Sequence, residues 1–167
     1  MRKRLFLLLL AFISLCQMYA VERTKLNFNG GWLLKVGDFL GAEQANYPDA
    51  GWKQITLPRA FNEKEAFKVS IEHLSDTIMW YRKHFHILEV GDRKYFIEFE
   101  GMRFGAEIWL NGKKVGYTEN GVMASGFDLT PYIIKGENVI AVRVDNSWSY
   151  RERTSGQRFQ WNDKNFN

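Results

Sequence analysis

His84 and His86 stand two residues apart, which places two imidazoles on one face of a β-strand. Such a pair holds a metal ion when a third ligand joins it. No third ligand accompanies these two, and the pattern reads as two half-exposed strand histidines. His73 stands alone in a polar stretch. Acidic residues are plentiful, yet Glu98, Glu100 and Glu107 fit solvent-facing strand positions. Two carboxylates can share acid and nucleophile roles when they flank a scissile bond about 5–9.5 Å apart. Spacing along strands does not set that distance. A glycine-rich phosphate loop, a nucleophile elbow and paired cysteines do not occur in the sequence. The pattern by itself names no catalytic residue, no metal ligand and no cofactor.

The elements that would position these groups are short strands. Ile108-Trp109-Leu110-Asn111-Gly112-Lys113 brings apolar alternation into Asn-Gly, a hairpin signal because a type I′ turn needs positive φ at both central residues. Strands are expected over 106–110 and 113–118. Ile78 to Leu88 alternates, with Tyr81, Phe85 and Ile87 on one face and Trp80, Arg82, His84 and His86 on the other. Lys94 to Glu100 alternates with Tyr95, Ile97 and Phe99 on one face, and over Asn138 to Asp145 Ile140, Val142 and Val144 alternate with Ala141, Arg143 and Asp145. Lys25 to Trp32 reads as an opening strand broken at Gly30-Gly31 and continued over Trp32 to Val36. Gly37 to Gly51 reads as loop, with a turn at Pro48-Asp49-Ala50-Gly51, and Lys53 to Leu57 as a short strand stopped by Pro58. Residues 59–76 are polar and irregular, with a helical turn near Glu63 to Phe67. Asn120-Gly121 is a further turn. Many short strands, close turns and no convincing amphipathic helix predict an all-β jelly-roll β-sandwich.

The first twenty residues are read as a leader. Arg2-Lys3-Arg4, the apolar run Leu5 to Leu15 and a small residue at Ala20 make a secretory signal peptide. The apolar run is shorter than the roughly 20 residues of a membrane span. Cys16 follows Leu15, where lipoproteins resemble one another in having a small residue, so cleavage after Ala20 is preferred to lipid attachment. The expected domains are residues 1–20 as leader and 21–167 as one sandwich, in a periplasmic or secreted protein with no membrane association after cleavage. The leader holds three of the 23 basic residues and none of the 19 acidic ones. The remaining near-neutral balance gives no basic stripe and argues against nucleic acid. The one cysteine lies in the leader, so residues 21–167 form no internal disulfide and stability must come from packing. Aromatic residues make up 16% of the chain, and all six tryptophans lie beyond the leader. Trp32, Trp80 and Trp109 are expected in core or interdomain packing.

Six further strings occur in order: Trp80-Tyr81-Arg82-Lys83-His84-Phe85, Phe96-Ile97-Glu98-Phe99-Glu100-Gly101, Ala106-Glu107-Ile108-Trp109-Leu110-Asn111-Gly112-Lys113, Gly116, Phe127-Asp128-Leu129-Thr130, and Asn138-Val139-Ile140-Ala141-Val142-Arg143-Val144-Asp145-Asn146. Together with Asn29-Gly30-Gly31-Trp32 and Trp52-Lys53-Gln54-Ile55-Thr56-Leu57-Pro58, they closely resemble the amino-terminal sugar-binding domain of glycoside hydrolase family 2. That family includes β-galactosidases, β-glucuronidases and β-mannosidases. The likeness covers nearly all of residues 25–146. Asn120-Gly121-Val122-Met123 departs from it, because the family often has a Gly-Gly-aromatic turn there.

The resemblance implies a galactose-binding-domain-like jelly roll followed by immunoglobulin-like and (β/α)₈ barrel domains, with both catalytic carboxylates in the barrel. It implies an exported, β-galactosidase-like hydrolase of terminal O-glycosidic bonds, compatible with a homo-oligomer, and no catalytic residue within this chain. It further implies that a loop near the domain's carboxyl end reaches the active-site rim. The matching candidates are Asp145, Asn146, Asn162, Asp163 and Asn165, with Trp161 as a stacking surface. Carboxylates and amides bond adjacent sugar hydroxyls in pairs, and an aromatic ring fits the C–H face. Asp145 and Asn146 also suit a turn at a strand end. Ser147 to Asn167 shows no period and reads as an interrupted chain. Two other functions fit an isolated jelly roll: a non-catalytic carbohydrate-binding module, and a structural sandwich for protein contact.

Overall fold

The computed structural model describes residues 23–60, 77–119 and 123–147. Among these residues eight strands and no helix occur: β1 (Trp32–Val36), β2 (Lys53–Ile55), β3 (Ile78–Ile87), β4 (Phe96–Phe99), β5 (Gly105–Leu110), β6 (Lys113–Thr118), β7 (Ser125–Asp128) and β8 (Gly136–Asp145). They form a six-stranded sheet in the order β2-β1-β3-β8-β5-β6 and a two-stranded sheet of β4 and β7. Every pairing is antiparallel. At the centre β3 and β8 pair continuously from Ile78↔Asp145 to Ile87↔Gly136. The architecture is an all-β jelly-roll sandwich, and the predicted helical turn near Glu63 lies outside the described residues.

Strand alternation gives the six-stranded sheet two different faces. Met79 and Tyr81 on β3, Ile108 and Leu110 on β5, and Ile140, Val142 and Val144 on β8 point inward. They meet Ile97 of β4 and the partly buried Phe99 and Phe127 of the smaller sheet. On the opposite face, Trp80 and Ala141 are buried, with Leu33 and Trp109 packed against them. The loop between β1 and β2 lies on that outer face and adds Phe39, Ala42, Tyr47 and Trp52. The predicted alternation of residues 78–88 therefore holds, but its polar face is a second, smaller core.

The expected opening strand over Lys25 to Trp32 is shorter in the fold. Gly31 adopts φ +70°, and the strand begins only at Trp32. The carbonyls of Phe28 and Gly30 turn to side chains, whereas Asn29 O accepts from the backbone N of Leu57 at 2.9 Å. Trp32 Nε1 donates to Phe28 O at 2.9 Å, and Lys83 Nζ donates to Phe28 O at 2.8 Å and Gly30 O at 2.6 Å. The Lys83 ammonium also stands 3.7 Å from the centre of the Phe28 ring.

The Asn-Gly hairpin forms as predicted, with Asn111 at φ 54° and Gly112 at φ 79°. Register shifts between Ile108 and Trp109, so β6 carries one extra residue there. Asn111 does more than turn the chain. Its Nδ2 donates to Tyr132 O at 3.0 Å and to Asn138 Oδ1 at 2.9 Å, while its Oδ1 accepts from Val139 N at 2.9 Å. Asn138 is fully buried. Its Oδ1 also accepts from Ile134 N at 2.9 Å, and its Nδ2 donates to Ile134 O at 2.8 Å and Gly136 O at 3.1 Å. These two amides tie the hairpin to the turn that feeds β8. Asn138→Ala is expected to lower the unfolding free energy by about 2–3 kcal/mol, the order for stranding buried polar groups. Urea denaturation of the full chain measures it, and a loss within about 0.5 kcal/mol, the usual range for a surface substitution, would show that the network is dispensable.

Candidate functional site

Arg82 is fully buried on the outer face of β3. Burying a guanidinium without partners is prohibitive, so its donors must be satisfied. Nε donates to Asp49 Oδ2 at 2.6 Å. Nη1 donates to Ala42 O and, at 2.9 Å, to Gln44 O, and Nη2 donates to Ala45 O at 3.3 Å. The guanidinium carbon also lies 5.7 Å from the Tyr47 ring centre and 6.0 Å from that of Trp52. One side chain thus fixes residues 42–49 of the loop against the sheet. His84, one step along the same face, extends the anchor. Its Nε2 lies 2.9 Å from Asp49 Oδ2 and its Nδ1 2.8 Å from Glu137 Oε1. Both ring nitrogens are therefore engaged by carboxylates, and His86 is exposed.

Burial opposes ionisation of Asp49, but hydrogen bonds from Arg82 and His84 outweigh it and lower the Asp49 pKa. Burial likewise opposes charge on His84, but its bonds to Asp49 and Glu137 raise its pKa. Each shift favours the ionised form of its group.

The near end of the same loop makes a second contact with the sheet. Asp38 Oδ2 accepts from Arg143 Nη2 at 2.7 Å, and Oδ1 accepts from Arg143 Nε at 2.9 Å and Trp80 Nε1 at 3.2 Å. The bidentate bond from Arg143 is the main reason the Asp38 pKa is lowered. The same bond raises the Arg143 pKa. Trp80 stacks on Trp109 with ring centres 5.4 Å apart and planes at 28°. Glu107 pairs with Lys114, and its Oε2 lies 3.8 Å from Arg143 Nη1. Between loop and sheet lies an open groove of about 410 Å³ lined by Asp38, Phe39, Leu40, Gly41, Glu43, Trp80, Glu107, Trp109 and Arg143. No local pattern signals it, because Asp38 and Arg143 are 105 residues apart. The readable hint was Arg82 between Trp80 and His84 on one strand face.

Of the candidate rim residues, Asp145 and Asn146 lie at the end of β8 beside this groove. Asp145 Oδ1 accepts from Ser147 N at 3.1 Å and Ser147 Oγ at 2.6 Å, and Oδ2 faces Arg143 Nη1 at 3.4 Å. Asn146 N donates to Thr77 O at 3.0 Å. Both residues are buried and order the exit from β8. Trp161, Asn162, Asp163 and Asn165 lie outside the described residues.

Residues 53–167 match the family model described as the glycosyl hydrolase 2 galactose-binding domain-like domain. A β-glucuronidase of Formosa agariphila is 39% identical over 134 residues, which are 75% of this chain and 14% of that protein. A β-galactosidase of Bacteroides ovatus is 34% identical over 133 residues, 75% of this chain and 16% of that protein. The crystal structure of a β-glycosidase from Bacteroides vulgatus superposes with a TM-score of 0.65 at 35% identity, over 73% of this chain and 17% of that one. The chain thus spans about one-sixth of the length of the relatives it matches.

The ionised anchor makes loop attachment sensitive to pH in both directions. Asp38 and Asp49 titrate below the usual 3.8 in the fold, so their contribution is complete above that value and is lost as the pH falls through their folded values. His84 titrates above 6.5, so its contribution is complete below 6.5 and is lost as the pH rises through its folded value. The melting temperature of the full chain is expected to peak between roughly pH 4 and 6.5. In His84→Gln the decline on the alkaline side should flatten while the acid decline remains. An alkaline decline of wild-type steepness in that variant would remove His84 from the account.

Proposed function

The chain belongs to glycoside hydrolase family 2, and on that premise we propose that it is the amino-terminal domain of an exported exo-glycosidase that hydrolyses terminal O-glycosidic bonds. The observation that carries this reading is the family match over residues 53–167, together with substantial identity to relatives described as a β-glucuronidase and a β-galactosidase. The catalytic carboxylates then belong to other parts of a longer protein, in the barrel that the family resemblance implies. Retaining hydrolysis needs one carboxyl group with a raised pKa as acid and one ionised carboxylate as nucleophile. In the groove and its anchor, Asp38 and Asp49 shift the other way, each held ionised by an arginine. They suit structure better than proton donation.

The domain's role in such an enzyme is to complete the rim of the sugar site. Asp145 and Asn146 set the direction in which the chain leaves β8, and Asp163, with Asn162, Asn165 and Trp161, is assigned to the rim itself. The leader at residues 1–20 and a periplasmic or secreted location belong to the same proposal.

Two measurements test it. The product of the complete reading frame should hydrolyse a nitrophenyl β-D-galactoside or β-D-glucuronide, whereas the full 167-residue chain alone should not. In the active longer protein, Asp163→Ala should lower kcat/KM by about 10- to 100-fold, the order expected when a sugar-positioning contact is lost. Turnover by the chain alone would overturn the placement of the carboxylates. Unchanged kcat/KM in Asp163→Ala would remove that residue from the rim.

A further inference from the structure

We propose that Asn29 is a self-modifying site: the backbone nitrogen of Gly30 displaces its side-chain amide, which converts residue 29 to aspartate and isoaspartate and loosens the contact that Lys83 makes just ahead of β1. Asn-Gly occurs at 29–30, 111–112 and 120–121. The last of these lies outside the described residues. Glycine after asparagine leaves this reaction most open, because no Cβ keeps the backbone nitrogen away from the side-chain carbon. The fold treats the two described pairs in opposite ways. Asn111 is locked. Its Nδ2 donates to Tyr132 O and Asn138 Oδ1, its Oδ1 accepts from Val139 N, and its own N donates to Val139 O at 2.9 Å. Asn29 is exposed, and among the described residues none bonds its side-chain amide or the backbone N of Gly30. Asn29 N donates to Asn27 Oδ1 and Asn29 O accepts from Leu57 N, both at 2.9 Å. The main chain is held there while both reacting groups stay open.

The step balances with water as the one co-reactant. Gly30 N bonds to Asn29 Cγ, the Cγ–Nδ2 bond breaks, and ammonia leaves with the proton that Gly30 N gives up. Water then opens the succinimide ring. Attack at Cγ gives aspartate. Attack at the main-chain carbonyl carbon gives isoaspartate, with one extra carbon in the backbone between residues 29 and 30. The surroundings favour the first step. Lys83 Nζ donates to Phe28 O at 2.8 Å and to Gly30 O at 2.6 Å, so a cation is bound to the carbonyls on both sides of Asn29. A nearby positive charge stabilises the negative charge that builds on Gly30 N as it attacks. The isoaspartyl product disturbs the same contact. One ammonium meets both carbonyls at their present spacing, and an added backbone carbon changes that spacing. Phe28 O also accepts from Trp32 Nε1 at 2.9 Å, and the Phe28 ring lies against the Lys83 ammonium. The disturbance therefore reaches Trp32, a residue of the sandwich core.

The test incubates the full chain at mildly alkaline pH, folded and in concentrated urea, and follows conversion by peptide mapping with mass spectrometry. In urea Asn29 and Asn111 should convert at similar rates. In the folded chain Asn29 should stay within about threefold of its urea rate, whereas Asn111 should slow by about tenfold or more, because its amide reacts only after local opening. Gly30→Ala should slow conversion at Asn29 by about tenfold. The fold accepts that variant, since a Cβ at Gly30 meets nothing within 4 Å and residue 30 is not among those with positive φ. The isoaspartyl fraction, separated by chromatography, should melt below the unconverted chain, whereas Asn29→Asp, which keeps the backbone length, should melt with it. Suppression at Asn29 beyond the threefold range, conversion of folded Asn111 as fast as that of Asn29, or an unchanged rate in Gly30→Ala would each overturn the site. Equal melting of the isoaspartyl and unconverted fractions would overturn its effect on the Lys83 contact. The readout is the chemistry of this chain, so it stands or falls independently of where hydrolysis occurs in a longer protein.

Discussion

A single buried cation organises the outer half of this domain. Arg82 enters from a central strand and must have its charge and donors satisfied in a site with no access to water. The loop between β1 and β2 supplies that satisfaction with one carboxylate and three carbonyl oxygens. A buried ion pair is weak evidence for net stability, since a well-packed apolar substitute often does as well. Its effect here is on which conformation is chosen. Carbonyls of Ala42, Gln44 and Ala45 converge on one guanidinium only when the loop curls in one way, and that curl also brings Asp38 to Arg143. Loop position, groove shape and the burial of Trp80 all follow from it.

The same strand builds both layers of the molecule. On β3, Met79, Tyr81 and Phe85 belong to the sandwich core, whereas Trp80 and Arg82 belong to the layer under the loop. The pleat separates them without any extra element. This explains how a chain whose one cysteine is Cys16 keeps a long loop ordered without a disulfide between its layers. The outer face is closed by ring contacts, Trp80 on Trp109 and Tyr47 on Trp52, and by two arginine–carboxylate pairs. Each aromatic pair adds about 0.5–1.5 kcal/mol beyond its buried area. Several such contacts together do what a cross-link does in smaller domains.

Local pattern made much of the sandwich readable. Asn111-Gly112 demanded its turn, and the alternation over 78–88 and 138–145 assigned faces correctly, because period two leaves no other way to bury Ile140, Val142 and Val144. The segment from Lys25 misled, because no strand forms along it: Asn29 O accepts from Leu57 N, but the carbonyls of Phe28 and Gly30 meet no neighbouring strand. Lys83 and Trp32 take those carbonyls instead, a contact that spans 55 residues in the case of Lys83 and Phe28. The groove was illegible for the same reason. Asp38 sits in a loop and Arg143 in a strand, and only the sheet order, with β3 between β1 and β8, brings them together. Asp49 read as a turn residue, and its pairing with Arg82 depends on loop curl that no periodicity encodes. Family resemblance, not pattern, directed attention to the carboxyl end of β8, where Asp145 and Asn146 order the strand exit.

Arg143 links the groove to that end. It donates to Asp38 of the loop on one side and faces Asp145 on the other, and Asp145 in turn orders Ser147 through two hydrogen bonds. Asn146, between them, fixes the backbone to Thr77. The departure of the chain from β8 is therefore set by the same charge cluster that shapes the groove. A change in the loop that released Asp38 would leave Arg143 with Asp145 and Glu107 as its anionic neighbours and alter how Asp145 is held. Groove and strand exit are one electrostatic unit, although their residues come from opposite ends of the described chain.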